Sequence, residues 1–74
     1  MSLASHQERV VEERRALDEK LTALHSFRTL PKFAGLSLVD QGLLVEQAAH
    51  MEAYLGVLDA RIKRFAEAGD EAER

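Results

Sequence analysis

One interruption constrains this chain more than any other feature. Residues 29–37 hold the only proline, Pro31, together with Gly35, and a long helical pattern runs on either side. Outside this break and the termini, only Gly42 and Gly56 interrupt good helix formers. No stretch alternates with the two-residue period of a strand. The expected fold is all-α: two long antiparallel helices, about 6–28 and 38–68, with a short turn or one-turn helix between them.

Local signals set the expected boundaries. Ser5-His6-Gln7-Glu8 reads as a capping box, in which the serine hydroxyl meets an orphan amide and the glutamate reaches back. The first helix then ends near Arg28, before Thr29-Leu30-Pro31, after about 35 Å. Pro31 suits the first position of an extra turn through Phe33, which is expected to fold back as a plug over the hairpin's end. Ser37 with Asp40 three residues on is a second box with a shorter acid. The second long helix should run about 45 Å to Ala68, with Gly69 as its stop. Residues 1–74 thus read as a single helical-hairpin domain, with 1–5 and 70–74 as frayed tails.

The second long helix has more to bury than the first covers. Leu44, Ala48, Met51, Leu55, Leu58, Ile62 and Phe65 form an uninterrupted heptad seam. A second stripe, Leu43, Gln47, His50, Tyr54, Val57 and Arg61, keeps the same rhythm with mixed chemistry. A third, Ala49, Ala53, Gly56 and Ala60, is all small and would let another backbone come close. On the first helix the seam is Val10, Leu17, Leu21 and Leu24, interrupted by Arg14. Beside it run Arg9, Glu13, Ala16, Lys20, Ala23 and Phe27.

With 74 residues and no cysteine, neither a disulfide nor a cysteine zinc site can staple the fold. One core of this size supplies only about 3–5 kcal/mol. Self-association is therefore expected: a helical-bundle homo-oligomer, a dimer or a tetramer of hairpins, formed through the second long helix.

The formal charge is −3, with +1 on residues 1–37 and −4 on residues 38–74. That balance, without a basic stripe, excludes duplex nucleic acid as the expected partner. Neither helix has a cationic face opposite a bulky apolar one, so no membrane partner is expected. Pairs such as Arg9–Glu13 and Asp59–Lys63 sit at i,i+4 on solvated faces. Glu46 and His50 share that spacing and could chelate, but no paired Glu-x-x-His supports a di-metal site, and the histidines read as helix-surface or interface residues. There is no P-loop, nucleophile elbow or dinucleotide turn. No metal, cofactor or catalytic residue is expected, and the chain is not expected to be an enzyme.

A small nucleotide needs a few cations for its phosphates and one flat surface for a base. Tyr54 offers a ring, Arg61 a phosphate fork and Gln47 an amide for a base edge. Across the hairpin, Arg9 and Lys20 flank the small Ala16 and Ala23. Self-association would double these five groups about an axis, which suits a near two-fold ligand such as a cyclic dinucleotide. The same residues also fit the flank of a bundle, with Tyr54 and Arg61 reaching to water.

The pattern Arg9-Val10-Val11-Glu12-Glu13, Leu17-Asp18-Glu19-Lys20-Leu21, Phe27 and Phe33 continues through Leu43-Leu44, Gln47, Met51, Tyr54, Leu58, Arg61-Ile62 and Phe65. Over roughly residues 7–65 it resembles the very small helical-hairpin accessory proteins of tailed bacteriophages, including a group first noted in crAss-like phages. Lys20, Gln47, Tyr54 and Arg61 are its less generic members, and Pro31-Lys32-Phe33-Ala34-Gly35 replaces a more charged connector. The resemblance implies a phage protein acting in the host bacterial cytoplasm. Its implied function is an anti-defence sponge that binds cyclic di- or trinucleotide immune signals without hydrolysing them. Phosphates would meet Arg9, Lys20 or Arg61 and a base would lie on Tyr54, between protomers. The alternative is a helix-hairpin protein–protein interaction or structural accessory protein.

Overall fold

The computed structural model describes residues 4–68. They form three helices, α1 (Ser5–Phe27), α2 (Pro31–Ala34) and α3 (Leu38–Ala68), with no strand among the described residues. The second long helix of the sequence is thus α3, and α2 is the expected one-turn helix, begun by Pro31 at its first position. The expected stop at Gly69, the tail at 70–74 and residues 1–3 of the other expected tail lie outside the described residues, while Ala4 and Ser5 of that tail belong to the start of α1.

Cross-helix contacts establish the direction. His6 meets Phe65, Arg14 meets Asp59 and His25 meets Glu52, so numbers rise along α1 as they fall along α3. α1 and α3 are antiparallel, and α1 packs along α3 beyond its first turns.

The cap of α1 departs from expectation. Ser5 is the first helical residue, and Ala4 is the cap, with extended backbone at φ −63° and ψ 155°. Alanine has no oxygen to offer, so only the returning half of a box forms: the Ala4 N–H donates to Gln7 Oε1 at 3.0 Å. Gln7, the first residue of the inward seam, is buried and draws the helix start back by one residue. At α3 the serine half of the expected box forms, with the Asp40 N–H donating to Ser37 Oγ at 3.1 Å. Gln41 adds a tie that the sequence did not announce. Its Nε2 donates to the carbonyls of Leu36 and Ala34, at 2.9 and 3.3 Å, pinning the connector to the start of α3. Phe33 packs edge-on to Phe27 with ring centroids 6.1 Å apart, closing this end of the hairpin as expected.

The seam holds residue by residue. From Leu44 to Phe65 each seam position of α3 is buried or half-buried, and the residues between them are exposed. Among the described residues the buried apolar set is small: Val10, Leu21, Ala48 and Leu58. Arg14, the break in the α1 seam, bends out to Asp59, with Nε to Oδ1 at 2.7 Å. Asp59 therefore turns across the hairpin instead of along its own helix to Lys63, which contacts Glu67 at 3.8 Å. Arg9 and Glu13 likewise form no ion pair among the described residues.

The result is a rod of 50 × 16 × 15 Å. It exposes 5563 Å², where a compact 8.3 kDa monomer would expose about 4,600 Å². Leu43, Val57 and Tyr54 stand 58%, 56% and 45% exposed on α3, and Leu38 and Val39 at its start stand 84% and 72% exposed.

Candidate functional site

Helical residues advance about 100° each, which fixes the face each stripe takes once the seams are set together. In an antiparallel pair the stripe Arg9–Phe27 of α1 and the stripe Leu43–Arg61 of α3 fall on the same side of the hairpin. The bridges Arg14–Asp59 and His25–Glu52 mark the opposite side. All five candidate binding residues, Arg9, Lys20, Gln47, Tyr54 and Arg61, therefore share one broad face, and all five are exposed.

The face is divided along its length. Gln47 and Tyr54 line one open groove of about 550 Å³ with Leu43, Glu46, His50 and Met51. The Gln47 amide donates toward Met51 Sδ at 3.8 Å, which lays it along the groove wall. Glu46 Oε1 and His50 Nε2 are 3.5 Å apart on the outer rim. This i,i+4 pair is the chelate candidate of the sequence. No group of three or more metal-type side chains is assembled among the described residues.

Arg61 sits apart. It lines a pocket of about 230 Å³ with His6, Arg64 and Phe65, at the end of the hairpin away from the connector. The ring of Phe65 stands edge-on to His6 at 6.4 Å, so the pocket has an aromatic floor and two guanidiniums on its wall. Along α3, Gln47 and Arg61 are separated by about 21 Å. Lys20 lines a third depression on α1 with Arg15, Ala16, Glu19 and Ala23. Arg9 lines none of these three hollows. One hairpin thus joins Gln47 with Tyr54 and leaves Arg61, Lys20 and Arg9 elsewhere on the face.

Sequence reasoning missed His6, Arg64 and Phe65 as companions of Arg61. Arg64 follows Arg61 by three residues, a spacing that places both on one side of the helix, and this was the available signal. Elsewhere charges are tied into surface networks. Arg15 bridges Glu12 and Glu19, at 2.6 and 2.7 Å, and its hydrogen bonds hold the Glu12 carboxyl below the ordinary glutamate range. Asp59, hydrogen-bonded to Arg14, raises that guanidinium's affinity for its proton. None of these pairs touches the groove.

Known proteins bear on this arrangement. The Sequestin family model matches residues 4–64, most of the chain. A relative from Enterobacteria phage T4, described as an uncharacterized 7.5 kDa protein in the denB-rIIB intergenic region, is 38% identical over 63 residues. That match covers 85% of this chain and 98% of the phage protein. Together these support a small phage protein. No solved structure matches. Among the described residues no helix is long and apolar enough to cross a membrane.

Proposed function

The chain belongs to the Sequestin family, and we propose that it is a phage anti-defence protein that sequesters cyclic di- or trinucleotide immune signals in the host cytoplasm without hydrolysing them. The family's name speaks of sequestration, and the T4 relative speaks of a phage setting. The carrying observation is the groove, where the Tyr54 ring and the Gln47 amide stand together on largely apolar walls. A base stacked on a ring is worth about 1–3 kcal/mol whatever its identity. The phosphates fall to guanidiniums, with Arg61 and Arg64 at the far end of the same face as the best placed. Lys20 and Arg9 lie on that face and extend its cationic rim.

The test is a melting series of the purified protein against a panel of cyclic di- and trinucleotides. A ligand at 100 times its Kd adds about 2.7 kcal/mol, a shift of many degrees for a chain this short. No shift with any member of the panel overturns the proposal. Arg61→Ala is expected to abolish the shift. Recovery of intact nucleotide after denaturation separates sequestration from turnover.

A second reading is a protein–protein interaction module. Leu38 and Val39 favour it, standing almost bare at the start of α3 beyond the reach of α1. A single stoichiometric host partner in a pulldown, lost on Leu38→Glu, would favour this reading.

A further inference from the structure

We infer that two copies of this hairpin pack α3 against α3, antiparallel about a two-fold axis level with Glu52, and that the groove of each is roofed by the other's Arg61.

The stripe Leu43, Gln47, His50, Tyr54, Val57 and Arg61 is spaced 4-3-4-3-4. That spacing reads the same in both directions about residue 52. Antiparallel helices with such a seam pair each position with the one equally far across the axis. Leu43 then meets the partner's Arg61, Gln47 the partner's Val57, and His50 the partner's Tyr54. A two-fold interface requires this self-complementarity, because the same patch serves both copies.

Two further observations select a second copy as the occupant. The apolar members of the stripe, Leu43, Tyr54 and Val57, are about half exposed although they lie beside the seam, and α1 does not reach them. The charges are also complementary end to end. The connector half of this face carries Glu46, and the other half carries Arg61 and Arg64. Antiparallel pairing brings Glu46 to within about a helical turn of the partner's Arg61. Parallel pairing would set arginines against arginines.

The arrangement also removes the separation of about 21 Å between Gln47 and Arg61 within one helix. The Leu43 end of each groove gains a guanidinium from the partner, and two such composite clefts flank the central His50–Tyr54 contacts of the dimer. What the clefts hold rests on the proposed nucleotide reading, whereas the assembly does not.

Because the chain has no cysteine, cross-linking reads this register cleanly. In the Gln47→Cys/Val57→Cys variant the two thiols lie about 15 Å apart on one rigid helix and cannot join within a copy. Mild oxidation of the full chain is expected to give a covalent dimer, while each single variant stays uncross-linked. Leu43→Cys/Arg61→Cys is expected to do the same. A covalent dimer from Ala49→Cys/Ala60→Cys instead places the contact on the small-residue stripe and overturns the inference. So does sedimentation of the native chain as a monomer at micromolar concentration. No nucleotide enters these experiments, so a failed melting panel and a failed cross-link are separate results.

Discussion

Arg14 and Asp59, 45 residues apart, hold each other at 2.7 Å across the hairpin, where the α1 seam is broken by a charge. Both side chains keep substantial solvent contact, so screening by water leaves the pair a small direct contribution to stability. Its larger effect is on register, since it aligns the two helices at one level. Arg14→Leu completes the apolar seam. Its melting temperature is expected to hold or rise, and the salt dependence of melting to shrink, as followed by circular dichroism in low and high salt.

Among the described residues, Leu58 is the one large side chain with no solvent exposure. Leu58→Ala removes its contacts and leaves a void against α1, at a cost of about 2–5 kcal/mol. A core of this size supplies about 3–5 kcal/mol in total. Urea titration is therefore expected to show a variant largely unfolded at micromolar concentration without denaturant.

A Cβ added at Gly56 would meet nothing within 4 Å. Within one hairpin, Gly56→Ala is expected to stabilise α3 by about 1 kcal/mol, read as a higher thermal midpoint. Since Gly56 lies off the two-fold stripe, the association constant is expected to stay unchanged in the same samples.

Glu12 is held below the usual glutamate value of 4.5, first by its hydrogen bond to Arg15. A carboxyl depressed on folding contributes stability that is full above the unfolded value and is lost as pH falls through the folded one. A carbon-detected titration is expected to place the Glu12 midpoint under 4.5 and Arg15→Ala to return it.

Much of the hairpin can be read from its letters. Pro31 and Gly35 mark the break, Ser37 caps α3 by the expected bond, and the Leu44–Phe65 seam is the buried side of that helix. These follow from backbone geometry and from a period that repeats over seven positions. The start of α1 was less legible, because Ser5 and Ala4 compete for one cap and burial of Gln7 decides it. Asp59 had two cations in reach, Lys63 on its own helix and Arg14 across the gap, and only the helix pairing selects between them. The candidate site was legible as a face and not as a cavity. Helical period gives the angle of Arg9, Lys20, Gln47, Tyr54 and Arg61 about the axis. Their distribution into separate hollows depends on position along it and on neighbours such as Phe65 and Met51.

Tyr54 is the only tyrosine in a chain without tryptophan, and it lines the groove. The ultraviolet emission of this protein therefore comes from one phenol at the place under question. A purine stacked on it, or a sister hairpin laid over it, alters that light directly, so the unlabelled molecule carries its own optical reporter of occupancy.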